Sequence, residues 1–174
     1  MRTVVLRVVA LALLLLLALF SVLSIRTLRR LPDTIVYFVR TEPEGFKLAP
    51  AGRQNQGEDE EARLLAALQA LTQGPSEAEQ AAGLTSSLPK NTDILSLELS
   101  GTSLSVDLSG DFAEGGGSSS MVARLNQLLY TLTQPASVNE VYLSVEGRPL
   151  TVLGGEGIMV PQPWRRLGDD LPTW

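Results

Sequence analysis

Hydrophobic and polar positions follow different periods along this chain, and the changes of period divide it. Residues 8–25 read VVALALLLLLALFSVLSI, without a charge. At about 1.5 Å per residue such a run covers roughly 27 Å of hydrocarbon, which predicts a membrane-spanning helix. Residues 4–6 can lengthen it past Arg7, whose side chain can snorkel. A cleavable signal peptide is the alternative, since the segment opens on Arg2 and a leucine-rich core. Its length and the lack of a small-x-small site after it favour an uncleaved anchor.

Beyond residue 31 the periods shorten. TIVYFVR at 34–40 is β-branched and aromatic between Pro32 and the turn cluster Glu42-Pro43-Glu44-Gly45, which predicts a buried strand. A weak second strand or hairpin arm is expected at 46–49, then a polar loop over 50–57. Glu58, Asp59, Glu60 and Glu61 open a helix in which Leu64, Leu65, Leu68 and Leu71 recur at three- and four-residue spacing, with Gly74-Pro75 as its stop. The acidic run lies at the positive end of the helix dipole, where a solvated, capped first turn explains it without metal or acid-base chemistry.

Residues 94–100 (ILSLELS) and 104–109 (LSVDLS) alternate. Leu95, Leu97 and Leu99 share a face with Leu104, Val106 and Leu108, and Gly101-Thr102-Ser103 makes the pair a hairpin. The serines of Gly115-Gly116-Gly117-Ser118-Ser119-Ser120 are cap candidates for a helix over 121–134. Its apolar stripe is Met121, Val122, Leu125, Leu128, Leu129 and Leu132, a core-packing pattern. Val141, Leu143 and Val145 mark another strand, and Gly147-Arg148-Pro149 turns the chain into a last one at 150–153. The order β-α-β-β-α-β-β predicts an α+β fold: a two-layer sandwich with both helices on one face of a mostly antiparallel sheet. The expected organisation is a cytoplasmic tip and anchor at 1–30, a domain at 31–153, and a tail at 154–174 that carries Pro161, Pro163, Trp164 and Trp174.

Composition narrows the chemistry. The 174 residues contain no cysteine and no histidine. Disulfides, thiolate metal sites, a cysteine nucleophile and a lipidated cysteine are thereby excluded, along with most general-base and zinc chemistry. The net charge of -5 hides an asymmetry: five of the fourteen basic residues flank the apolar run, and all nineteen acidic residues follow it. From residue 31 onward nine basic against nineteen acidic side chains leave -10. A domain so acidic is a poor partner for nucleic acid. The arginines do not orient the helix, because Arg2 and Arg7 with the amino terminus oppose Arg26, Arg29 and Arg30.

YFV near the start, LLAALQALTQGPSEAEQAAGLTSSLPKNTDILSLELSGTSLSVDLSGDF in the middle and LNQLLYTLTQPASVNEVYLSVEGRPL near the end together resemble the GerMN domain of bacterial envelope, sporulation and spore-germination proteins. The resemblance covers residues 35–153. Its most specific pieces are Gly74-Pro75, Leu88-Pro89, Val106-Asp107-Leu108-Ser109 with Phe112, Leu129-Tyr130-Thr131-Leu132, and Val145-Glu146-Gly147. It implies an extracytoplasmic domain similar to the ring-building motifs of secretion and sporulation complexes, with no catalytic constellation to carry over. It also implies an amino terminus inside and a domain outside. Two departures stand out, a single copy in place of a tandem pair and a plain helix in place of a lipidated cysteine, so a sporulation role does not follow from the resemblance.

Three candidate sites remain. Ser87-Leu88-Pro89-Lys90 fits the S-x-x-K signature of serine enzymes acting on cell-wall peptides, but Pro89 opposes the helical turn that mechanism needs, and its companion triplets are missing. Asp107, Asp111 and Glu114 could gather around calcium, though strand-end capping and turn formation account for them better. A glycosidase carboxylate pair is singled out nowhere. No catalytic, cofactor-binding or metal-ligating residue is therefore assigned, and no cofactor is expected. The expected protein is a non-catalytic interaction or scaffold module at the cytoplasmic membrane, with an envelope protein or a second copy as partner. A glycan-binding domain or peptidoglycan hydrolase is the alternative, with peptidoglycan as partner.

Overall fold

The structure is a computed structural model that describes residues 13–18, 21, 34–43, 45–54, 57–135, 137–155 and 157–166. The chain divides into two units, Met1–Leu31 and Pro32–Trp174. In the first, residues 13–18 are helical and Leu13 to Leu17 are 56% to 67% exposed. The rest of the expected anchor lies outside the described residues. Among the described residues no helix is long and apolar enough to cross a membrane.

The second unit is α+β. Strand β1 (Thr34–Glu42) pairs antiparallel over its whole length with β2 (Gly45–Arg53), so the weak arm expected at 46–49 is a full strand that takes in half of the expected loop. Pro50 did not stop it because β2 is an edge strand. The backbone N–H and C=O of Tyr37, opposite Pro50, both point away from β2, so the N–H that proline lacks would have faced the open edge.

Helix α1 (Glu60–Gln73) starts as its acidic run predicts: Asp59 is the N-cap and accepts from the Ala62 N–H at 2.8 Å. Leu64, Leu68 and Leu71 are buried, and Gly74 ends the helix. A short helix α2 (Glu77–Ala81), absent from the expected order, is set by a capping box between Ser76 and Glu79. Strand β3 (Leu84–Thr85) then pairs with β1.

Strands β4 (Ile94–Ser100) and β5 (Ser103–Leu108) form the expected hairpin, closed by Gly101 and Thr102, with Gly101 at φ 62 as the first position of such a turn favours. The alternation in β4 is broken near Leu95. Ile94 faces Leu108 while Ser96 faces Asp107, so a bulge leaves Leu95 unpaired and 53% exposed, and Ile94 takes its expected place.

A 3-10 turn (Gly110–Ala113) buries Phe112 before helix α3 (Ser118–Leu132). Gly117 is its N-cap without a side-chain bond, so the serines expected as caps form the first turn itself. Strand β6 (Glu140–Val145) runs parallel to β5, which makes β5-α3-β6 a crossover, and β7 (Arg148–Pro149) extends the sheet as β4-β5-β6-β7. Every other strand pairing is antiparallel.

The segment after β8 (Val152–Leu153) is part of the domain as far as Arg166. Strand β9 (Ile158–Met159) pairs with β8, and Trp164 exchanges backbone bonds with Val141 at 2.7 and 2.8 Å. Gly154 turns this hairpin at φ 70, where the Met121 side chain lies only 2.2 Å from the place a Cβ would occupy. Leu104, Val106, Leu108, Val141 and Leu143 pack into one core with Phe38, Leu68 and Leu128 from β1, α1 and α3.

Candidate functional site

Sequence-selected polar groups and structurally engaged polar groups are largely different residues. Ser87 and Lys90 lie in a non-helical segment, so the hydroxyl and amine have no helical turn to bring them together. The Ser87 N–H donates to Gln127 Oε1 at 2.8 Å and its C=O accepts from Arg124 Nε at 3.0 Å. Its side chain borders a shallow depression of about 400 Å³ with Phe46, Gly117, the α3 serines and Ala123, whereas Lys90 borders a different one.

Asp107 accepts the Gly147 N–H with both carboxylate oxygens at 3.0 Å, fixing the β6–β7 turn in the manner expected of a strand-end aspartate. Asp111 opens the 3-10 turn, and its C=O accepts from the Glu114 N–H. Among the described residues no three acidic groups are placed to hold a metal ion.

The deepest polar residues lie on α3, where periodicity alone reads them as breaks in the apolar stripe. Arg124 is 2% exposed and Gln127 is 0% exposed. The guanidinium donates to the carbonyls of Ser87, Phe112, Glu114 and Gly115 and lies over the Phe112 ring. Burial pushes its pKa down. The four carbonyls offset that desolvation without an opposing carboxylate.

Gln127, Thr131 and Gln134, at i, i+4 and i+7, replace a missing strand along β1. Gln134 brackets Ile35, accepting its N–H at 2.8 Å and donating to its C=O. Thr131 Oγ1 accepts the Tyr37 N–H at 3.0 Å and Gln127 Nε2 donates to the Tyr37 C=O at 3.1 Å. Gln162 treats Leu143 in the same way, and Glu61 accepts the Leu99 N–H on the open edge of β4 at 2.8 Å. Chemically this arrangement satisfies backbone and blunts sheet edges.

Among the described residues Glu79 is the one carboxylate with a large pKa shift, lowered to about 2. The cause is the two-pronged bond from Arg53, at 2.6 and 2.9 Å, helped by the Ser76 N–H and hydroxyl. A depressed carboxylate contributes stability above its unfolded pKa near 4.5 and loses it as pH falls through about 2. Wild type should therefore lose about 1 kcal/mol relative to Arg53→Met between those limits, the order expected of an accessible pair. Urea unfolding of the full chain at stepped pH measures it, and parallel curves for the two proteins would refute it.

Opposite the helices, the four-stranded sheet is largely exposed among the described residues. Its outward positions on β4, β5 and β6 carry serines, Glu98, Asp107, Glu140 and a 40% exposed Tyr142.

Residues 35–151 match the family described as sporulation and spore germination, Germane. None of the curated proteins shows a significant match. Among solved structures, the tandem GerMN domains of the sporulation protein GerM from Bacillus subtilis align at TM-score 0.61 and 20% identity, over 76% of this chain and 44% of theirs. The chain thus spans less than half the length of that structure. The first GerMN domain of the same protein aligns at TM-score 0.58 and 17% identity, over 77% of this chain and 98% of that one. A Clostridium perfringens protein described as a lipoprotein aligns at TM-score 0.52 and 27% identity, over 76% and 87% of the two chains.

Proposed function

The chain belongs to the Germane family of sporulation and spore germination domains, and on that premise we propose that it is a non-catalytic protein-interaction module of the bacterial cell envelope. In this reading residues 8–25 are a single-pass anchor in the cytoplasmic membrane, with the amino terminus inside and the domain on the extracytoplasmic side. The observation that carries the proposal is the use made of the buried and half-buried polar side chains of α3 and of Gln162. Of the buried polar residues outside α3, Thr92 leaves its hydroxyl without a partner among the described residues. Arg124, Gln127, Thr131, Gln134 and Gln162 all hydrogen-bond to backbone. Polar groups committed to holding the chain together are not available to a substrate, which leaves recognition to the outer surface.

Complementation of a deletion strain tests this reading. An anchor replaced by an unrelated single-pass helix should preserve activity, and Ser87→Ala should be silent. Charge reversals at exposed sheet-edge or helix positions should abolish activity while leaving the circular dichroism spectrum and membrane content of the protein unchanged. If the anchor swap destroys activity and every folded surface variant retains it, the helix is the recognition element and the proposal fails. Covalent labelling of Ser87 by a β-lactam probe would overturn its non-catalytic part.

A further inference from the structure

We infer that the exposed face of the β4-β5-β6 sheet is the docking surface of this module, and that it takes a lysine- or arginine-bearing segment of a partner protein. The inference rests on the interaction-module reading and adds the surface and the partner chemistry.

The register defines the geometry. Glu98, Ser105 and Tyr142 lie in one row across three neighbouring strands. At about 4.8 Å per strand, Glu98 and Tyr142 stand roughly 10 Å apart at the backbone, with only a serine between them. Ser103 continues this low floor along β5, and Asp107 closes one end of it. The slot thus has a carboxylate wall, an aromatic wall and a hydroxyl floor. Threonine, with its β-branched shape, would suit a solvated strand better than serine. Tyr142 is 40% exposed beside these short side chains, and its hydroxyl bonds to Glu140 on the same face.

Charge decides which occupant fits. The outward positions of β4, β5 and β6 carry carboxylates and no lysine or arginine. One corner already holds a cation: Arg165, from the segment after β9, pairs with Glu140, which also accepts from Ser103. A guanidinium or ammonium beside Glu98 and against the Tyr142 ring would combine ion pairing with a cation–π contact. Several of the domain's own cations are occupied, Arg53 by Glu79, Arg124 by carbonyls and Arg166 by the Tyr130 ring. Of the carboxylates on this face, Asp107 is held by the Gly147 N–H and Glu140 by Arg165, so Glu98 is the one that offers its charge to a partner. The net negative charge of the chain steers a basic partner toward it. A second copy of the same face would set carboxylate against carboxylate. Strand addition is opposed at the open edges by Pro50 on β2 and by Glu61 and the Leu95 bulge on β4.

The test uses the full chain in nanodiscs of zwitterionic lipid, with a fluorescent octapeptide of alternating arginine and serine as probe and its glutamate–serine counterpart as control. Fluorescence anisotropy should show salt-sensitive binding of the basic peptide alone. Tyr142→Ala and Glu98→Lys should each weaken it about tenfold, as loss of a cation–π or charge contact requires, while Glu77→Lys on α2 leaves it unchanged. Circular dichroism identifies variants that have merely unfolded, and for those Tyr142→Ser replaces alanine. Equal loss from Glu77→Lys and Glu98→Lys would reduce the effect to net charge and overturn the inference. So would wild-type binding no tighter than to the acidic control, binding of uncharged peptidoglycan fragments that depends on Tyr142, or self-association through that residue. If the peptide arm fails while charge reversals elsewhere on the surface still abolish complementation, the face is wrong and the interaction-module reading stands.

Discussion

Arg124→Met is expected to destabilise the domain by roughly 2–4 kcal/mol, because it removes the donor set of several carbonyls at once. Methionine keeps much of the stem, so the change is chiefly in the head group. The Phe112 C=O is buried and the Ser87 C=O is half-buried, and neither gains a replacement donor when the guanidinium goes. Glu114 and Gly115 are exposed and can turn to water, which keeps the loss below four full desolvation penalties. Removing a buried charge also relieves its own desolvation, a second reason for the moderate figure. Arg124→Lys should be nearly as damaging, since one ammonium cannot reproduce the planar fork. Urea unfolding of the full chain gives the magnitude, and limited proteolysis gives the location as faster cleavage between Ala113 and Gly117. A loss under about 0.5 kcal/mol, within the range of ordinary surface changes, would show that the carbonyl cage does not stabilise the fold.

Gln127→Leu should lower stability by a similar roughly 2–4 kcal/mol through β1 and the Ser87 segment. The amide serves two long-range backbone groups, accepting the Ser87 N–H and donating to the Tyr37 C=O, 90 residues away in sequence. Leucine fills much of the same volume, so an apolar swap tests the bonds and not the packing. Gln127→Glu keeps an acceptor, loses both donors and buries a charge, and should be no better. Hydrogen exchange separates this effect from a general loss of stability: the Ser87 amide should lose protection beyond that of the α1 amides. Equal change across all amides would place the role of Gln127 in packing alone.

Legibility in the sequence tracked the range of the interaction. The α1 start was visible because Asp59 caps a group three residues away. The Gly101-Thr102 turn and the β4–β5 hairpin were visible for the same local reason. The bulge at Leu95 was not, since ILSLELS alternates cleanly and only pairing with β5 reveals the extra residue. Gln134, an unremarkable helix-end glutamine in sequence, binds a strand residue 99 positions away. The S-x-x-K string was legible for a local reason too: Pro89 opposes a helical turn between Ser87 and Lys90, and the segment is non-helical.

Apolar period, turn residues and the acidic first turn of α1 determined the α+β class and the main helices and strands, because each reports burial or a cap within its own element, and the sequence motifs carried the resemblance to the GerMN domain. The missing histidine and cysteine removed whole chemistries before any fold was known. Tertiary structure alone decided that β5 and β6 run parallel around α3, that residues 157–166 strap the sheet through Trp164, and that Arg124 and Gln127 are interior residues. A side chain's polarity fixes what it must bond to, but only the packed chain brings to it the backbone groups that element pairing left unsatisfied.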